Sequence, residues 1–188
     1  TTGNTDTFIG VEILNIAGAA SGTHVFADGL IMTDTAANQK AVITGAAAVT
    51  FSSISTMDEL DASAATGVIT TTGGFAAGAT IAGGTKGDTL IGSTAGDIIT
   101  GNNGTDTING LAGADTIVLT DVDFDNAITL NTGDGTDIVT LGAQAATYVV
   151  QYVATFDDDV ITGWTTGTDQ ISIDKSITGI SGSVGDNL

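Results

Sequence analysis

The chain has 188 residues, enough for one domain or two small ones, and its 22 acidic against 3 basic residues give a formal net charge of -19. Charged residues are 13% of the chain and hydrophobic ones 41%, which excludes an acidic disordered tail, while 5% aromatics is too few for a core built on Phe and Trp. Lys40, Lys86 and Lys175 are the only cations, so phosphate backbones and anionic lipid are repelled; the absence of Cys removes zinc-thiolate and iron–sulfur sites, and no run of about 18 apolar residues is present to span or insert into a membrane.

From the amino terminus, the chain starts at Thr1 with neither a basic nor an apolar leader. That is expected of a chain whose signal is removed, one whose export signal lies elsewhere, or a processed piece of something longer. The runs FIGVEILNI, HVFADGLIM, KAVITG, AVTFSSI and GVITTT then read as short strands separated by Gly, Ala, Ser and Asp or Asn turns. Between them, 56–66 (TMDELDASAAT) reads as a short helical turn or a loop. The block GFAAGATIA (74–82) introduces a period of nine: Gly74 and Ile81 are in phase with the blocks from residue 83 onward, and Ala79 stands at the place those blocks give to an acid.

Four nine-residue blocks then align without gaps: GGTKGDTLI (83–91), GSTAGDIIT (92–100), GNNGTDTIN (101–109) and GLAGADTIV (110–118). Each opens with Gly (Gly83, Gly92, Gly101, Gly110), carries Asp sixth (Asp88, Asp97, Asp106, Asp115) and a large aliphatic eighth (Leu90, Ile99, Ile108, Ile117). A repeat of this length is the mark of a solenoid. The segment 119–131 (LTDVDFDNAITLN) breaks the phase, which TGDGTDIVT (132–140) restores with Asp137 and Val139. A weaker echo, WTTGTDQIS (164–172), carries Asp169 and Ile171. The run Asp157, Asp158, Asp159 reads as a solvated loop, and Trp164 as a cap on the end of the solenoid.

Nine residues divide naturally into six of turn, where glycines can take φ > 0, and three of strand, with the eighth side chain inward. Two such halves close a flattened coil of about 18 residues, and successive coils stack as parallel strands roughly 4.8 Å apart. One coil cannot bury its own aliphatic residue, so stacking is obligatory. The predicted fold class is therefore all-β: a parallel β-solenoid or β-roll, extended by less regular β-coils at both ends. The expected divisions are an irregular β-rich part over 1–73, the regular roll over 74–141 and a capping region over 142–188.

Because a coil takes two blocks, Asp88 and Asp106 are expected on one edge, Asp97 and Asp115 on the other. Carboxylates about 5 Å apart at an effective dielectric of about 20 repel by roughly 3 kcal/mol. No Lys or Arg other than Lys86 is near enough in sequence to relieve this, and a divalent cation would. Every acid from residue 88 onward is Asp, a short hard-oxygen ligand. Calcium fits best, since it accepts six to eight oxygens at irregular angles; softer metals want His or Cys. The expected ligands are Asp88, Asp97, Asp106, Asp115 and Asp137, joined by Asp134 on the Asp115 edge. Carbonyls exposed around Gly83, Gly84, Gly92, Gly101, Gly104, Gly110, Gly113 and Gly135 complete them. Asp121, Asp123 and Asp125 either close the last site on the Asp106 edge or form a solvated strand face. A single Gly-x-Asp is more simply an Asx-turn, but four phased copies and a fifth favour the metal.

These blocks resemble the RTX nonapeptide, Gly-Gly-x-Gly-x-Asp-x-aliphatic-x, of proteins exported by bacterial type I secretion. The resemblance covers 83–118 closely and 132–140 well. It departs at Lys86 and Ala95, where glycine is displaced to Gly87 and Gly96, so the sites flanking those turns are expected to be weaker. It implies calcium held by Asp carboxylates and turn carbonyls, with the coil forming outside the cell as calcium arrives. The stretches GVEILNI (10–16) and LDASAATGVITTTGG (60–74) look like segments of surface-layer and adhesin-type members, and DVITGWTTGTDQISI (159–173) like strands that close such a roll.

Catalysis finds little support. His24 is the only His, no His-Glu-x-x-His or Gly-x-Ser-x-Gly occurs, and His24 reads as a turn or strand-face residue. The expected function is structural: a calcium-stabilised, self-associating module of a surface layer or extracellular filament. An adhesin module, or the calcium-binding tail of a larger secreted enzyme, is the alternative.

Overall fold

The computed structural model describes residues 6–9, 12–18, 22–26, 30–33, 39–54, 56–72, 75, 77–120, 127–142, 149–152, 158–163 and 170–173. Strands alone make up its regular structure, and no helix occurs among the described residues. In chain order they begin with β1 (Asp6–Ile9), β2 (Ile13–Gly18), β3 (Thr23–Phe26), β4 (Leu30–Thr33), β5 (Lys40–Gly45) and β6 (Ala48–Phe51). Next come β7 (Glu59–Ala65), β8 (Ile69–Thr71), β9 (Thr80–Ala82), β10 (Thr89–Ile91), β11 (Ile98–Thr100) and β12 (Thr107–Asn109). The last six are β13 (Thr116–Leu119), β14 (Ala127–Asn131), β15 (Ile138–Leu141), β16 (Val149–Tyr152), β17 (Val160–Thr162) and β18 (Gln170–Ile173).

These strands form two eight-stranded parallel sheets, β17-β15-β13-β11-β9-β7-β5-β2 and β18-β16-β14-β12-β10-β8-β6-β3, and β1 pairs separately with β4. Because the chain alternates between the sheets, from β5 onward each strand lies beside the strand two places on, the signature of a parallel solenoid, while β2 and β3 pair three places on, with β5 and β6. The three-residue strands β9 to β12 are the seventh to ninth places of their blocks, as the period predicts.

The eighth-place side chains run as two columns. In the first sheet Leu14, Ala41, Leu60, Ile81, Ile99, Ile117, Val139 and Ile161 stand in register, the middle six fully buried. In the second, Leu90, Ile108 and Leu130 align, with Phe51 and Thr71 paired further back. Each buried Leu or Ile contributes about 1.5–3 kcal/mol, and only the next coil makes that burial possible. Thr71 sits in this apolar stack with its hydroxyl satisfied, accepting from Ile91 N–H at 2.7 Å.

One expectation needs correction. Most of the 56–66 segment is neither helix nor loop: Glu59–Ala65 is the longest strand among the described residues. Leu60, Ala62 and Ala65 turn inward, and pairing with β5 on one side and β9 on the other, with a register shift between Val42 and Thr44, outweighs the helix-favouring Glu, Leu and Ala composition. Positive φ, expected of the turn glycines, is found at some of them and not at others. Among the described residues Gly83, Gly92, Gly101 and Gly110 do not adopt it; within the blocks it is Gly104, Gly113, Gly133 and Gly135 that do.

Candidate metal centre

The sixth-place aspartates are buried in the turns between the two sheets. Asp88, Asp97, Asp106, Asp115 and Asp137 are each at most 2% exposed. Their carboxylates do not line the surface as bare ridges; each reaches back one coil. The N–H of Asp88 donates to Asp106 Oδ1 at 2.9 Å, that of Asp97 to Asp115 Oδ1 at 2.8 Å, and that of Asp115 to Asp137 Oδ1 at 2.8 Å. Where the preceding coil has no Asp the same bond forms, from Ile69 N–H to Asp88 Oδ1 at 2.7 Å and from Ala79 N–H to Asp97 Oδ1 at 2.6 Å. The partners lie 18 residues apart for Asp88–Asp106 and Asp97–Asp115, so the two-edge arrangement read from the period holds. Half of each carboxylate therefore ties coil to coil through charge-assisted bonds.

Sequence reasoning missed two members of this ladder. Asp58 Oδ2 accepts from Gln39 N–H at 2.9 Å. Asp159, read as part of a solvated run, accepts from Asp137 N–H at 2.9 Å and from the Thr132 hydroxyl at 3.2 Å. Both precede a large aliphatic residue by two places, Leu60 and Ile161, and that pair of positions was the available signal. Asp121, Asp123, Asp125, Asp157, Trp164 and Asp169 lie outside the described residues. Asp134 is exposed in its turn, its N–H bonded to Leu111 O at 2.9 Å and its carbonyl accepting from Gly113 N–H at 2.8 Å.

The opening glycines make room for the carboxylates. A Cβ on Gly83 would lie 2.7 Å from Asp88 Oδ2 and 2.6 Å from Gly101 O. One on Gly101 would lie 2.6 Å from Asp106 Oδ2, and the corresponding atoms on Gly92 and Gly110 would collide with Asp97 Oδ2 and Asp115 Oδ2. Glycine is needed there for space rather than for backbone torsion.

The second oxygen separates two kinds of turn. In 83–88 and 92–97, where glycine stands fifth, no residue has positive φ and the second-place N–H caps the carboxylate. Gly84 N–H donates to Asp88 Oδ2 at 2.6 Å, and Ser93 N–H to Asp97 Oδ2 at 2.6 Å, with the Ser93 hydroxyl 3.0 Å from Asp97 Oδ1. In 101–106, 110–115 and 132–137, where glycine stands fourth, both the second and fourth residues turn to positive φ: Asn102 and Gly104, Leu111 and Gly113, Gly133 and Gly135. The Leu111 N–H then points to Asn109 Oδ1, and Asp115 Oδ2 is left buried with no hydrogen-bond partner. A left-handed Leu costs on the order of 1–2 kcal/mol, and an unmet buried carboxylate oxygen costs more.

Burial raises the Asp115 carboxyl to about 6; the Asp97 N–H opposes this, and the charges of Asp137, Asp97 and Asp159 add to it. Burial likewise raises Asp88 to about 6, against the pull of the Ile69 and Gly84 N–H groups. A cation would reverse both preferences. The donors available are carboxylate and carbonyl oxygens, which suit a hard ion. Among the described residues no three carboxylate or imidazole groups converge, so backbone carbonyls must supply much of any coordination shell. The residues fit calcium on this observation: an unsatisfied buried oxygen inside an all-oxygen turn.

Stacked parallel coils with a buried aspartate in each of the turns ending at 88, 97, 106, 115 and 137 define a β-roll of the metal-binding type. Residues 82–117 match the family model for the RTX calcium-binding nonapeptide repeat, in four copies, and the parallel coils around them have the form of a β-roll. Repeats of this family bind Ca²⁺. No curated protein and no solved structure is similar enough to the chain to count as a match.

Proposed function

We propose that the chain is a non-enzymatic structural module, exported by type I secretion to the bacterial cell surface, that joins copies of itself into a surface-layer lattice or an extracellular filament. In this reading calcium organises the roll over 74–141, while 1–73 and 142–188 carry contacts between copies. The carrying observation is the open-ended topology: among the described residues the two large sheets end in β2 and β3 on one side and in β17 and β18 on the other. A parallel sheet can add another strand at such an edge, and end-to-end addition propagates without closing.

Electrostatics supports a calcium requirement. A net charge of -19 is self-repulsive, and metal binding that relieves it becomes folding energy. The test is negative-stain microscopy of the purified chain in millimolar calcium and in EGTA. Sheets or fibres that form in calcium and dissolve in EGTA support the reading. Monodisperse particles in both contradict it and favour an adhesin module or the tail of a secreted enzyme.

A further inference from the structure

We infer that the roll is divided in its need for metal: the step between turns 110–115 and 132–137 binds calcium, whereas turns 83–88 and 92–97 close on their own backbone and fold without it. This rests on calcium binding by the repeats, not on assembly of copies.

The closed turns carry the argument from one side. Asp88 has Ile69 N–H on Oδ1 and Gly84 N–H on Oδ2; Asp97 has Ala79 N–H on Oδ1, Ser93 N–H on Oδ2 and the Ser93 hydroxyl beside Oδ1. An entering ion would have to displace short charge-assisted bonds, which are roughly twice as strong as neutral ones. The fourth-place residues Lys86 and Ala95 take no left-handed conformation, so the second-place N–H stays aimed at the carboxylate.

The open step carries it from the other side. Asp115 is 1% exposed, its Oδ1 is used by Asp97 N–H, and its Oδ2 has no hydrogen-bond partner. The backbone that uncaps this oxygen is kept at a cost, with Leu111 at φ 80°. The turns are locked together beside it by Asp134 N–H to Leu111 O at 2.9 Å and Gly113 N–H to Asp134 O at 2.8 Å. A Cβ on Gly135 would collide with Gly113 O, so the second turn cannot seat without glycine. Asp115 and Asp137, with carbonyls of the two turns, are the residues that would hold the ion. Turn 101–106 shares the same backbone, with Asn102 Nδ2 hooked onto Gly83 O at 2.7 Å.

Amide NMR of the full chain during calcium titration reads each turn separately. The expected result is a spectrum in EGTA that already holds dispersed, exchange-protected Gly84 and Ser93 amides. Adding calcium moves Leu111, Gly113, Gly133 and Gly135 and leaves Gly84 and Ser93 in place. Gly84 and Ser93 shifting with the same saturation, or lacking protection in EGTA, would overturn the division. No movement of any turn amide would sink calcium binding itself, a distinct failure. Ion counting by calorimetry adds a second reading. Asp115→Asn is expected to lose at least one bound ion and Asp97→Asn none, and the opposite pattern overturns the inference.

Discussion

Replacing Gly83 by Ala tests whether the opening glycine exists for space. The added Cβ would meet Gly101 O at 2.6 Å, Asp88 Oδ2 at 2.7 Å and Leu90 Cδ1 at 3.2 Å. The carbonyl belongs to the next coil and the carboxylate is pinned by Ile69 and Gly84 N–H groups, so neither neighbour is a flexible tip. Overpacking of this kind costs about 1–3 kcal/mol. Moving Asp88 Oδ2 off Gly84 N–H adds about 1.5–3 kcal/mol for a bond to a charged group. Alanine recovers about 0.4–1 kcal/mol through the unfolded chain. The net expectation is a loss of roughly 2–5 kcal/mol, read from urea unfolding by circular dichroism in EGTA, with the exposed Thr94→Ala as control. A loss below about 0.5 kcal/mol would mean that the cradle has room for a methyl group and that glycine is there for another cause.

The same geometry sets further outcomes. In EGTA, Asp88 and Asp115 carry folded-state pKa values of about 6 against an ordinary 3.8, so the folded chain holds more protons than the unfolded one between those values. Their stabilising contribution is fully present below pH 3.8 and is lost as pH rises through about 6, by on the order of 3 kcal/mol per group. The urea midpoint of the metal-free chain should therefore fall from pH 4 to pH 7, and a midpoint that rises over this range contradicts the burial argument. Ile99→Ala and Ile117→Ala should each cost about 2–5 kcal/mol in calcium and in EGTA alike, since the column they share is apolar; a loss seen in only one condition would mean that the core forms with the metal. Asp159→Ala should cost about 1–3 kcal/mol by leaving Asp137 N–H unmet, and an unchanged midpoint would return Asp159 to the solvated loop expected from sequence.

The regular part of the fold was legible because period nine puts one aliphatic inward per half-coil, which fixes Leu90, Ile99, Ile108 and Ile117 and the alternation of edges without reference to a neighbour. Asp58 and Asp159 escaped because their coils are not 18 long. Gln39 and Asp58 are 19 apart, and Asp137 and Asp159 are 22 apart, so the ladder continues where the period does not. Glu59–Ala65 escaped because its strand state is imposed by β5 and β9 from both sides, while its own composition leans to helix. The destination of each carboxylate was hidden too. Nothing in Gly-x-Asp says that Oδ1 will bind the N–H of the previous coil. The displacement of glycine from fourth to fifth place at Gly87 and Gly96 was visible in the sequence, yet only the backbone shows that it decides whether the second oxygen is capped.

Long-wavelength diffraction from crystals grown in millimolar calcium examines the metal assignment at the atoms concerned. The expected map holds an anomalous peak within about 2.3–2.6 Å of carboxylate oxygens of Asp115 and Asp137, with Gly84 and Ser93 N–H groups still on Asp88 and Asp97. An ordered map with no peak at that step, and Asp115 Oδ2 bonded to a backbone N–H instead, would leave calcium no place between these turns.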